Sequence, residues 1–254
     1  MDLKIINKKE LQVVVLDSVI EEVLPNHPFS FISNNTNYKK LMANYLAMSQ
    51  AFPYLQAGSQ KDIFFHSMEN NNDVPENVEL TSVVGNFLCW DETGGLYLTL
   101  ARGLKGLPQL LETRRFHANL LRRDCELLFS EPLQPEYSTV TKKYLYDLYA
   151  GLSSTCAMTR VAYMVSFENH ANCMITALWQ SITNHFKIEK KRLVYFLTHV
   201  GGDDPAEAYH VEMTRKLISK IIPEDETESF SMKFKDAYSL HSNWCKALVD
   251  MSVN

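Results

Sequence analysis

TCAMTRVAYMVSFENHANCMITALWQSITNHF, residues 155–186, is the stretch whose reading decides the fold. Val161, Val165, Ala171, Ile175, Leu178 and Ile182 recur in it three and four residues apart, the spacing of one buried helical face. A helix is therefore expected from about Thr155 to Phe186. Glu168 falls in register with this stripe and should point into the core. A buried, unpaired carboxylate costs several kcal/mol, so such a group persists when it is paired, protonated or bound to a metal. Metal ligation, an ion pair with a core Arg or Lys, and a slightly rotated helix that exposes the acid are the three readings.

Working outward, the same periodicity continues. Only nine glycines occur in 254 residues, and alternating strand-like runs are few, which points to an all-α chain. Leu11 to Leu24 is open between strand and helix. Asn34 to Asn37 reads as a loop, followed by a helix through Leu41, Tyr45 and Met48. Asn70 to Pro75 is a linker too short to divide the chain into domains. Val84, Leu88 and Glu92 then share a helix face that Gly94-Gly95 should end. Leu110, Leu120, Leu121 and Leu128 mark a helix containing His117. A helix is expected through Tyr144 and Leu148, and another from about Glu189 to Val200, stopped by Gly201-Gly202. Asp204 has the character of an N-cap, with Pro205 at the first helical position and Glu207 three residues on. Val211, Leu217, Ile218 and Ile221 face inward on the helix beyond. One helical domain over residues 1–254 is the expectation.

Composition sets limits. Hydrophobic residues make up 46% of the chain and charged ones 22%, enough for one large core. Net charge is −5 and no Lys/Arg run is long enough to track phosphates, so nucleic acid is not an expected partner. No apolar run approaches the roughly 20 residues that cross a bilayer. Five scattered cysteines without a C-x-x-C pair fit reduced thiols and a cytoplasmic setting, and disfavour a cysteine-based zinc site. No G-x-S-x-G, P-loop or dinucleotide glycine fingerprint occurs.

The chemistry concentrates in Thr198 to His210, where His199, Asp203, Asp204, Glu207 and His210 surround a helix break. Nitrogen and carboxylate donors in this mixture suit non-haem iron or manganese better than zinc or calcium. His210 and Glu207, three apart, can serve one ion from one helix face. Glu207 also reads as a plain capping residue, and His210 and His117 as core histidines bonded to backbone. Glu92 also reads as a solvated residue ahead of the glycines. His27, His66, His185 and His241 lie in polar or loop-like contexts that favour the surface. His170 should point away from Glu168.

These segments, in this order, resemble the heme-oxygenase-like diiron oxidases. The branch they resemble most is that of the Chlamydia protein associating with death domains (CADD), related to TenA and the quinone-cofactor synthase PqqC. The residues that carry the resemblance are Leu88 to Gly94, Phe116 to Leu121, Ala162 to Glu168, and Asp203-x3-Glu207-x2-His210. The resemblance implies a heme-oxygenase-like bundle of about seven or more helices. It also implies a metal-ligand set of Glu92, His117, Glu168, His210, Glu207 and either Asp203 or His199, with Glu168 and His210 at the centre of the chemistry. Two irons per chain are implied, with manganese or a single iron as alternatives. The sequence departs from the pattern twice. The stretch between Glu92 and His117 is longer than usual, and Asp203 and Glu207 stand where a histidine and an aspartate are expected. The implied activity is an oxygen-activating oxidase or oxygenase. Its partners would be dioxygen and a small, partly apolar substrate, with no membrane and with a homodimer as one option for assembly. A metal-free enzyme of the TenA or PqqC type, or a protein-interaction module using the aromatic stripe Phe230, Phe234, Tyr238 and Trp244, are the competing readings.

Overall fold

The computed structural model describes residues 8–103, 111–202 and 207–253. It is an all-α bundle of α1 (Lys8–Val23), α2 (Tyr38–Glu69), α3 (Glu76–Glu92), α4 (Gly95–Arg102), α5 (His117–Phe129), α6 (Thr139–Leu152), α7 (Ala157–Phe186), α8 (Val194–Val200), α9 (Glu207–Ile221) and α10 (Thr227–Met251). Among the described residues the β pairing is confined to an isolated bridge between Thr36 and Val253.

The stripe expected on residues 155–186 becomes the axis of the bundle. Val161, Val165, Leu178 and Ile182 on α7 are completely covered. α7 packs against α10, α9, α6, α8 and α3. Its first turn is tied to α3 by the buried Arg160. The Arg160 guanidinium donates to Thr81 Oγ1 (3.0 Å) and Asn77 Oδ1 (2.7 Å), and to the Ser154 carbonyl (2.7 Å). These contacts give the guanidinium's buried N–H groups the acceptors that burial demands. On α10, Phe230, Phe234, Tyr238 and Trp244 all enter the core, so this aromatic stripe is packing and offers no exposed face.

The stretch from Leu11 resolves as helix, within α1, which ends at Val23, one residue before Leu24. The helix carrying His117 starts at His117 itself, because Phe116 before it is extended (φ −55°, ψ 131°); Leu110 lies outside the described residues. The helix expected from Glu189 splits into a 3-10 turn at Lys190–Arg192 and α8, with the extended Leu193 between them. Asp203, Asp204 and Pro205 lie outside the described residues, as does the side chain of Glu207, with which α9 begins. His66 and His185 are exposed as expected. His27 and His241 are instead buried, His27 at the start of a 3-10 turn laid across α7 and α10, and His241 on the inner face of α10. Their polar sequence neighbours concealed tertiary burial.

Candidate metal centre

Three helix ends and two helix interiors converge on a cavity of about 560 Å³. Its apolar wall includes Met48, Phe52, Phe167, Met174 and Ile175, and its polar wall includes Glu92, Glu168, His199 and His210. Phe52 and Phe167 stack face to face at 3.9 Å.

The first group of donors is Glu92, His117 and His199, whose ligand atoms lie within 4.8 Å of one another. Glu92 ends α3, His117 opens α5 and His199 sits in the last turn of α8. His117 Nδ1 is 3.3 Å from Glu92 Oε2, and the His117 and His199 rings meet edge to face at 4.6 Å. Glu92 and His117 are buried, and His199 is half-buried.

A glycine and an aspartate hold this group together. Gly94, two residues past Glu92, has φ +74°, the left-handed conformation that glycine adopts without strain. A Cβ there would stand 2.6 Å from Arg115 Cβ and 2.7 Å from the Arg115 carbonyl oxygen. The chain after Glu92 thus presses against the chain just before His117. On α5, Asp124 reaches the start of α8 and accepts the backbone N–H groups of Val194 (2.8 Å) and Tyr195 (2.9 Å). It caps a helix from another element, which is the orphan-donor problem of any helix start solved in trans. One helix therefore carries His117 and grips the helix that carries His199. Burial raises the Asp124 carboxyl from 3.8 to about 7, although the backbone donors pull it the other way.

The second group is Asp91, Glu168 and His210. His210 Nε2 is 2.8 Å from Asp91 Oδ2, and His210 Nδ1 is 3.2 Å from Glu168 Oε2. All three side chains are buried. Phe87 stands edge-on to the imidazole at 5.5 Å. The arrangement has two chemical uses. An imidazolium would donate at both nitrogens, one to each carboxylate. A neutral imidazole would keep its Nε2–H on Asp91 and offer the Nδ1 lone pair, together with Glu168, to a cation. The 3.2 Å separation suits the second use, since two donors each about 2.0–2.1 Å from one ion sit roughly 3 Å apart. A carboxylate behind a ligating histidine is also the usual way its tautomer and orientation are fixed.

Of the seven expected ligands, the structure brings Glu92, His117 and His199 into one group and Glu168 and His210 into another. Asp203 and the Glu207 side chain are not among the described groups. His199 does face the site, because α8 ends at Val200 and its last turn is aimed by the Asp124 cap. Sequence reading missed Asp91, Asp124 and Tyr195. The signal for Asp91 was present: it follows Leu88 by three residues on the face where Glu92 follows it by four. Tyr195 lines the cavity one turn before His199, its hydroxyl 3.1 Å from that of the buried Tyr45. Nothing in a single sequence marked Tyr195 or Asp124.

No family model matches the chain. No curated protein matches it. Among solved structures, the fold is similar to the crystal structure of a CADD-like protein of unknown function from Nostoc punctiforme. That likeness has a TM-score of 0.68 at 12% identity, and covers 96% of this chain and 99% of the other. At that identity it establishes a shared fold. No helix among the described residues is long and apolar enough to cross a membrane.

Proposed function

We propose that the protein is a non-haem iron oxidase or oxygenase that activates dioxygen and acts on a small, partly apolar organic molecule. In this reading it is a diiron member of the heme-oxygenase-like proteins. The observation that carries the reading is the pairing of two acid–imidazole groups on one wall of a cavity whose other wall is apolar.

The donor set fits iron. Every candidate donor is a carboxylate or an imidazole, the combination suited to an ion that changes oxidation state and keeps positions open for other ligands. Glu92, His117 and His199 would hold one iron. Glu168 and His210 would hold the other, with Asp203 and Glu207 as candidates to complete it. When bound, the metal would supply the oxygen chemistry, while the protein supplies positioning and a dry cavity.

The chain's own residues have definable work. Asp91 would hold the proton on His210 Nε2, leaving Nδ1 as the donor. Gly94 and Asp124 fix the ends of α3, α5 and α8 so that the first group's donors stay together. Phe52, Phe167 and Met174 would receive the apolar part of the substrate and exclude water from the polar wall. The Tyr195 hydroxyl, paired with that of Tyr45, would present a hydrogen-bonding group beside the first group of donors.

Anaerobic loading with ferrous iron, followed by metal analysis and then admission of oxygen, tests the proposal. About two irons per chain and oxygen-dependent optical changes are expected. Glu168→Ala and His210→Ala should remove one iron, and His117→Ala the other. A single iron lost only in the His117 variant would overturn the diiron reading. Absence of specific iron binding would overturn the whole of it.

A further inference from the structure

A second cluster of donor side chains lies on the far side of α7 from the cavity wall that Glu168 lines, and the site above makes no use of it. His27, His170 and Cys245 are buried, and their ligand atoms lie within 4.8 Å of one another. They come from three elements: the 3-10 turn at Pro28–Phe31 that His27 caps, α7 and α10. The His27 and His170 rings are 5.1 Å apart, and Tyr238 and His241 flank His170 at 5.2 and 5.4 Å. His241 is fully engaged, Nδ1 with the Tyr144 hydroxyl (2.9 Å) and Nε2 with Ser166 Oγ (3.1 Å). In contrast, Nε2 of His27 and Nε2 of His170 are buried without a hydrogen-bond partner among the described residues. Buried polar groups are nearly always paired, so two such nitrogens side by side beside a thiol call for an explanation.

We propose that His27, His170 and Cys245 form a second metal site, one that takes monovalent copper. Two imidazoles and a thiolate in a three-ligand set match the softness and low coordination number of this ion, whereas the carboxylate-rich group matches iron. Charge balance points the same way. Cu⁺ with one thiolate is neutral overall and is tolerated in an apolar core, while a divalent ion would leave a net charge buried there.

The protons balance. Burial keeps the Cys245 thiol protonated, and that proton leaves to solvent as the copper–sulfur bond forms. His27 Nδ1 accepts the Phe29 N–H at 3.1 Å, so the His27 proton sits on Nε2. Coordination through Nε2 moves that proton to Nδ1 and ends the Phe29 bond. Copper binding and release of the turn's cap are therefore one event, and the turn's amide should lose protection as the ion enters.

The test is competition for Cu⁺ against a chromogenic chelator under anaerobic conditions, in a Cys156→Ser/Cys173→Ser background that removes the two exposed thiols. One equivalent of Cu⁺ should leave the chelator, X-ray absorption should show one sulfur and two nitrogen neighbours, and Phe29 should exchange its amide hydrogen faster. Adding Cys245→Ser should weaken retention at least tenfold. If that variant fails to fold, His27→Ala, which changes the cap of a short turn rather than a long helix, should produce the same loss. No Cu⁺ withdrawn from the chelator, retention unchanged in both variants, or a copper environment without sulfur would each overturn the proposal. None of these outcomes depends on the iron site, which contains no thiol.

Discussion

Asp124 makes a pH-dependent claim that can be checked without knowing any substrate. Its carboxyl caps α8 from α5 and is almost wholly buried. Burial outweighs the two backbone donors and raises it from 3.8 to about 7. The folded chain therefore holds this proton more tightly than the unfolded one. The stability it contributes is complete below the unfolded value, and is lost as pH rises through about 7. A gap of this size corresponds to roughly 4 kcal/mol, at about 1.4 kcal/mol for each tenfold. In Asp124→Asn the group no longer titrates. The carboxamide oxygen keeps one backbone donor, and its NH₂ faces the other, at a cost of about 1–3 kcal/mol. The variant should therefore be the less stable protein near pH 4, and should match or exceed the parent near pH 8. Urea unfolding of both chains across that range, with a chelator present so that metal binding does not enter, measures the difference. A gap between the two that stays constant, or that widens with rising pH, would refute the reasoning, because it would mean that Asp124 is not a buried acid with a raised affinity for its proton.

Two further outcomes follow from the same geometry. Asp91→Asn should weaken metal binding at the Glu168–His210 group by about 10- to 100-fold while leaving the fold intact, as read by competitive metal titration; unchanged affinity would show that Asp91 does not orient His210. Gly94→Ala places a side chain in the left-handed region and against Arg115, so it should destabilise the chain by about 2 kcal/mol or more, seen as a fall in Tm of roughly 4–8 °C. A thermally neutral Gly94→Ala would mean that the close approach between residues 94 and 115 is not required.

The fold was legible where one residue pattern served one purpose. The apolar stripe of residues 155–186 faces one core along its whole length, so periodicity alone located α7 and turned Glu168 inward. The N-termini of α5 and α8 were misplaced because their starts are set by remote contacts: Gly94 against Arg115 for the first, the Asp124 carboxylate for the second. Glu92, His117, Glu168 and His210 could be singled out because each sits in register with apolar neighbours. Asp91 shares that register and was overshadowed by the residue after it. Tyr195 and Asp124 gain their positions from elements far away in sequence, a kind of information that a single chain's periodicity does not hold. His27 and His241 were misjudged for the complementary reason, since polar sequence neighbours say little about a turn that another helix covers.

The contact between Gly94 and Arg115 separates the length of the chain from the distance it must span. Glu92 and His117 are held by the neck where residues 94 and 115 touch, and α4 belongs to the stretch of chain between them. The contact at the neck, rather than the number of residues between the two donors, sets the distance between the chain segments that carry them. Sequence spacing between them carries no geometric meaning, and a search for similar centres by fixed ligand intervals would pass this one by.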